Sequence, residues 1–183
     1  MLLDTPVCDF GWKAPGFTLK DAYGKRFTMS DCLGDKGLLI VFICNHCPYV
    51  IQITKRLAED TKLLLDEGIN VLAIMSNDYE LYKEDSPENM KKFAKQHNFA
   101  FPYLIDEDQS VGKKYGAVCT PDFFGFNSKG ELQYRGRLDD ARMDDVPERL
   151  PELLNAMRMI AQTSSGPKTQ VPSMGCSIKW RDN

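Results

Sequence analysis

Two apolar runs separated by a helical stripe dominate the hydrophobic pattern. Leu38-Leu39-Ile40-Val41-Phe42-Ile43 is uninterrupted and rich in β-branched residues, and the run 69–75 is broken only by Asn70. Such runs predict strands buried on both faces, as in a parallel sheet. Between them Val50, Ile53, Leu57, Thr61, Leu64 and Leu65 recur at helical spacing, and Gly68 supplies a C-terminal stop. Strand, helix and strand with short joints predict a βαβ unit. Downstream, Ser86-Pro87-Glu88 reads as an N-cap, a first-position proline and an acidic first turn, opening a helix to about His97. A short strand over 101–105 follows, then a short helix capped by Asp108 that ends before Gly116. The stretches 123–126 and 132–135 flank Asn127-Ser128-Lys129-Gly130 as a hairpin. Phe17-Thr18-Leu19 and Arg26-Phe27-Thr28 form another around Asp21-Ala22-Tyr23-Gly24. Leu150, Leu153, Leu154, Met157 and Ile160 mark a last amphipathic helix. After Ala161 the texture becomes that of a linker, rich in Ser, Gly and Pro, before Gly175-Cys176-Ser177-Ile178-Lys179-Trp180 restores a cysteine and an aromatic. The expected organisation is one domain over 1–162 and a tail over 163–183.

Composition narrows the function. The chain has 183 residues, 23 basic and 26 acidic, for a formal charge of −3, which leaves no basic footprint for nucleic acid. No apolar run approaches the ~18 residues of a membrane span, so no membrane partner is expected. The first ten residues carry neither a basic nor an apolar signal region. Six cysteines are too few and too scattered for a disulfide-stapled scaffold. The expected compartment is therefore a reducing cytoplasm, where closely spaced cysteines are catalytic or metal-binding rather than structural. The acidic stretch 79–88 reads as a solvated loop.

The candidate chemistry is Cys44-Asn45-His46-Cys47-Pro48, at the junction of the first buried strand and the first long helix. A bare CxxC is a weak signal; its place at a strand-to-helix junction makes it a strong one. The first turn of a helix has unpartnered N–H groups and a positive dipole end, which would stabilise a thiolate at Cys44. That thiolate would attack a disulfide, and Cys47, one turn on, would resolve the mixed disulfide. A protonated His46 would favour the thiolate further. Two other readings stay open: a pair of core cysteines, and a metal-binding, copper-chaperone-like module using Cys44, His46 and Cys47. Thr120-Pro121, just before the second hairpin, is a candidate cis-proline turn whose backbone would pair with an extended peptide. Cys119 adjoins that turn. Cys176, on the tail, would return to the site as an additional resolving thiol, or else dock as a bystander through Ile178 and Trp180. Cys8 and Cys32 carry no assigned chemistry.

These motifs resemble the thioredoxin fold. The N-terminal hairpin and the extra helix and strand over 87–105 resemble its redoxin branch, which includes the alkyl hydroperoxide reductase/thiol-specific antioxidant family. The segments 42–50, 116–124 and 175–180 are similar to a peroxiredoxin-like subgroup of that family. The resemblance covers nearly the whole chain. It implies a central mixed β-sheet flanked by helices, with an N-terminal hairpin extension. It implies Cys44 as nucleophile, Cys47 as resolving thiol and Pro121 as the cis-proline. Thioredoxin's buried Asp before the nucleophile is replaced by Leu38, so His46 or water must move the proton. Peroxiredoxins carry Thr or Ser three residues and Pro seven residues before their reactive cysteine; this chain has Val41 and Gly37, which argues against fast peroxide chemistry. Arg135 or Arg137 would have to substitute for the peroxiredoxin arginine, although ion-paired surface positions are expected for both. The reading is a thiol–disulfide oxidoreductase with a protein or small-thiol partner and no cofactor. Thiol peroxidase is the alternative within enzymes.

Overall fold

The computed structural model describes residues 1–182. Its spine is the predicted βαβ unit. Strand β4 (Leu38–Phe42) is buried at every position and pairs in parallel with β5 (Asn70–Met75). Their outer neighbours are β6 (Tyr103–Ile105), parallel to β5, and β8 (Asp122–Phe126), antiparallel to β4. The hairpin partner β9 (Leu132–Tyr134) closes one edge. The N-terminal hairpin of β2 (Thr18–Asp21) and β3 (Arg26–Thr28) closes the other, through antiparallel pairing of β2 with β6. The result is a seven-stranded mixed sheet of order β3-β2-β6-β5-β4-β8-β9.

Alternate side chains of the central strands fill two cores. One holds Leu39, Val41 and Ile43 against Leu57, Leu64 and Leu153; the other holds Leu38, Ile40 and Phe42 against Phe124, Phe126 and Tyr115. The predicted long helix is divided into α2 (Pro48–Ile51) and α3 (Thr54–Asp66), with Gln52 and Ile53 between them. The apolar stripe continues through this break, because Val50, Ile53, Leu57 and Leu64 are all buried. Gly68 follows the end of α3 at φ +83°, a left-handed conformation that glycine adopts without steric cost.

Ser86 caps α4 (Pro87–Gln96) as its sequence predicts, accepting from the Asn89 N–H. The short helix α5 (Ser110–Tyr115) is capped differently from expectation. Asp108 accepts only from Ser110 N–H, whereas buried Asp106 accepts from both Val111 and Gly112 N–H. The last helix, α6 (Glu152–Thr163), starts after Leu150, which is exposed. A one-turn helix, α1 (Met29–Cys32), and a 3-10 turn over Lys83–Asp85 complete the helices among the described residues. Among the described residues no helix is long and apolar enough to cross a membrane.

The tail does not hang free of the domain. It forms β10 (Met174–Ser177), which lies between β1 (Leu2–Asp4) and the two-residue strand β7 (Cys119–Thr120) in a second, three-stranded antiparallel sheet. Ile178 then enters the core. The sequence reading had no strand at β1 or β7.

The loop that carries Thr120 and Pro121 is held by a buried ion pair. Asp122, fully buried, meets Arg135 at 2.9 Å, and Arg135 also donates to Gly116 O and lies 4.4 Å over the Phe124 ring. Burial nevertheless pushes the Asp122 carboxyl above its ordinary range. Removing one partner of such a pair strands the other charge in the core. Arg135→Leu is therefore expected to lower unfolding free energy at pH 7 by about 3–5 kcal/mol. Because the raised Asp122 takes up a proton more readily when folded, the loss should shrink as pH falls toward 4. Urea titrations at both pH values check the size and the sign.

Candidate active site

The site lies where β4 ends. Cys44 follows the strand after Ile43, Asn45 and His46 make the bend, and Cys47 is the N-cap of α2 with Pro48 at the first helical position. The expectation that Cys44 occupies the helix start is thus corrected: Cys47 does. Proline favours the first helical position, where no N–H is needed, so Pro48 itself marks Cys47 as the cap. All six cysteines are free thiols here.

Both site sulfurs meet Thr120. Cys44 Sγ lies 3.4 Å from Thr120 Oγ1, and Cys47 Sγ donates to Thr120 O at 3.2 Å. The Thr120–Pro121 peptide bond is cis. The structure therefore brings Cys44, Cys47, Thr120 and Pro121 together. Cys119 is buried beside them, its thiol 3.8 Å from Pro121 O, and burial pushes it up to about 12, so it stays protonated.

The two thiols share a hydrogen bond and titrate as a unit. Of the two, Cys47 is lowered from the ordinary thiol range and Cys44 is raised. The Cys44 thiol, the Thr120 hydroxyl and the Cys176 N–H and thiol lower the Cys47 pKa against the cost of burial. Cys44 is held well above the ordinary thiol range by the hydrogen bond to Cys47, by burial and by the facing Asp85 carboxylate.

Asp85 is the residue the sequence reading missed. It sits in the acidic stretch expected to be solvated, yet it is wholly buried. Its Oδ1 accepts from Asn45 N–H at 2.7 Å, and its Oδ2 from the Asn77 side chain at 2.9 Å. His46 Nδ1 lies 2.7 Å from the same Oδ2, off the line of a straight hydrogen bond, and the ring stacks on Tyr82. Tyr103 OH and Glu84 O hold the Asn45 side chain. The Asp85 carboxylate raises the His46 pKa, over the opposing effect of burial. Composition marks residues 79–88 as polar; only the path of the chain, which turns Asp85 inward beneath Asn45, reveals it as buried.

Cys44 Sγ, a His46 ring nitrogen and an Asp85 oxygen lie within 4.8 Å of one another. The grouping of donors thus has Asp85 where the metal reading of the sequence expected Cys47. Arg135 and Arg137 are both ion-paired, to Asp122 and to Glu152 respectively, and Arg137 also lines the cavity beside Pro121. A cavity of about 280 Å³ opens beside Pro121, between Tyr49, Ile53, Phe123, Arg142 and Met174.

With this geometry in hand, the comparisons identify the lineage. The sequence pattern of the AhpC/TSA family matches residues 10–135, and the chain belongs to that family. It is similar to the thiol-disulfide oxidoreductase ResA of Bacillus thuringiensis subsp. konkukian, 24% identical over 153 residues, covering 80% of this chain and 77% of that one. It is also similar to the peroxiredoxin bcp of Coxiella burnetii, 27% identical over 122 residues, covering 67% and 76%. Among solved structures, an uncharacterized conserved protein from Geobacillus kaustophilus superposes with TM-score 0.94 at 39% identity, over 100% of this chain and 98% of that one. The thioredoxin domain of a thiol-disulfide oxidoreductase from Bacteroides vulgatus superposes at 0.58 with 19% identity, over 69% and 86%, and shares the fold. The chain is a thioredoxin-fold redoxin, of an oxidoreductase family.

His46 gains stability from Asp85 only while protonated. Its raised folded pKa means that this contribution is complete below the unfolded value near 6.5 and is lost as pH rises through the folded value. In an NMR titration His46 should titrate above 6.5, and Asp85→Asn should remove the increase. A His46 titration unchanged by that substitution would show that the carboxylate is not the cause.

Proposed function

We propose that the chain is a thiol–disulfide oxidoreductase whose redox couple is Cys44–Cys47. The observation that carries this reading is the convergence of both sulfurs on Thr120, next to a strand edge. A dithiol held this way can close to a disulfide with little movement of the backbone. Relatedness to a thiol-disulfide oxidoreductase over four-fifths of the chain supports it.

The reaction begins with a proton shift. With Cys47 ionised, as its lowered pKa favours, the Cys44 thiol passes its proton to Cys47, so Cys44 becomes the thiolate. It attacks one sulfur of a substrate disulfide; that S–S bond breaks, and the departing substrate thiolate takes a proton. Cys47 then loses its proton and attacks Cys44 Sγ in the mixed disulfide, expelling the second substrate thiol. The substrate gains two electrons and the couple ends as a disulfide. Asp85 and His46 stand beside Cys44, and the part-exposed imidazole offers a route for protons to and from water. His46 thus takes the shuttle role that the sequence reading left to it or to water, with Asp85 beside it favouring its protonated form. The partner is a protein or small-molecule disulfide. The apolar cavity beside Pro121 suits a side chain of a protein partner.

A second reading uses the same atoms. The close grouping of Cys44, His46 and Asp85 favours a thiophilic metal ion, which would compete with disulfide exchange. Elemental analysis of protein purified without chelator, with Cu(I) competition, distinguishes the two. The peroxidase alternative draws support from the peroxiredoxin relative, but both candidate arginines are engaged in ion pairs.

Cys44→Ser should reduce insulin-type disulfide reduction by at least about 10³-fold, by loss of the attacking thiolate. Cys47→Ser should accumulate a stable mixed disulfide with substrate, visible as a mass increase. Full turnover by Cys44→Ser would overturn the assignment.

A further inference from the structure

We propose that Cys176 is a third catalytic thiol, which exchanges with the couple at Cys47 Sγ from a strand that fills the docking edge beside it. The proposal rests on Cys44–Cys47 being the redox couple.

The first support is register. In the second sheet Cys176 lies directly opposite Thr120, the residue whose carbonyl receives the Cys47 thiol. The Cys176 side chain packs against the core cluster that contains both site cysteines. Among the described residues β7 pairs only with β10, so without β10 the Thr120 edge would be a free backbone edge alongside the two thiols, open to an extended peptide. The chain's own tail occupies that edge as a substrate strand would.

The second support is how closely the strand is seated. A Cβ on Gly175 would stand 1.9 Å from Thr120 O and 2.6 Å from Thr120 C, so only glycine lets β10 lie this near. Ser173 Oγ donates to Pro121 O at 2.8 Å on one side. On the other, Lys179 N–H donates to Asn77 Oδ1 at 2.9 Å, and Asn77 in turn donates to Asp85. The tail is thereby tied to both the Pro121 turn and the Asp85 network.

The third support is access. Cys44 and Cys47 are 1% and 0% exposed, whereas Cys176 is partly exposed. A reductant arriving from solvent therefore meets Cys176 first. In the reduced state burial, then the neighbouring Cys47 sulfur, pushes Cys176 up to about 11. Once Cys47 is in a disulfide its charge is gone, and the Cys176 thiolate forms more easily.

The exchange balances without outside electrons. Cys176 sheds its proton and attacks Cys47 Sγ; the Cys44–Cys47 bond breaks, the Cys47–Cys176 bond forms, and Cys44 leaves as a thiolate that takes the proton. An external dithiol then attacks Cys176 Sγ and releases Cys47. The second thiol of that dithiol closes its own disulfide and frees Cys176. Two electrons pass from the dithiol to the protein, which returns to three thiols.

The test uses the full chain and three proteins: wild type, Cys44→Ser and Cys176→Ser. Each is treated with one equivalent of hydroxyethyl disulfide, acid-quenched and alkylated, and its disulfides are mapped by mass spectrometry. Oxidised protein is separately re-reduced with dithiothreitol. The proposal expects a Cys47–Cys176 disulfide as the main product in Cys44→Ser. It expects only Cys44–Cys47 in Cys176→Ser, with re-reduction slowed by at least about tenfold, since a positioned thiol has been lost. It is overturned if Cys44→Ser forms no Cys47–Cys176 bond, or if Cys176→Ser is re-reduced at the wild-type rate. If wild type still reduces insulin in that case, the couple stands and the relay alone fails. If Cys176→Ser forms no Cys44–Cys47 disulfide, the couple itself fails and the relay with it.

Discussion

Thr120 is the residue on which the site depends. Its hydroxyl meets the Cys44 sulfur, its carbonyl receives the Cys47 thiol, and its backbone pairs with Cys176. Strand β7 is only two residues long, so it cannot hold that position by its own pairing. It is fixed from behind by β8, whose first residue, Asp122, is locked to Arg135 in the core. A buried ion pair is weak evidence for stability, but here it sets the place of the Thr120 carbonyl relative to two sulfurs. The chemistry needs that residue in place, because a thiolate in a buried site survives only where donors meet it, and the Thr120 hydroxyl is such a donor beside Cys44.

Burial and charge are balanced around this point. Two thiols and a carboxylate are withdrawn almost entirely from water. Each would be costly alone. The Asn45 backbone, the Asn77 side chain and His46 meet Asp85; Cys44, Thr120 and Cys176 meet Cys47. The two clusters abut at Cys44, which faces Asp85 on one side and shares its proton with Cys47 on the other. Proton position, rather than movement of the backbone, selects which sulfur carries the charge.

Much of this was legible in the sequence wherever the pattern is local. The runs around Leu38 and Ile69 gave buried parallel strands, Ser86-Pro87 gave a helix start, and Asn127–Gly130 a hairpin. The CxxC motif and Thr120-Pro121 were found by their place relative to those elements. What escaped notice depends on distant pairing. β1, β7 and β10 are two to four residues long, too short to show a period, and exist because Leu2, Thr120 and Cys176 meet across the fold. Asp85 looked like surface charge because composition cannot report which acid of a run turns inward. Cys44 was placed at the helix start, when Pro48 already marked Cys47 as the cap. AhpC/TSA membership agrees with the resemblance drawn from the motifs, and the docked tail adds what they did not show.

The most direct measurement is an equilibrium titration in glutathione redox buffers, with alkylation and mass mapping of each cysteine across the transition. The account predicts one two-electron transition in which Cys44 and Cys47 lose their free thiols together. Independent oxidation of the two sulfurs, or a transition that leaves either one free throughout, would contradict it.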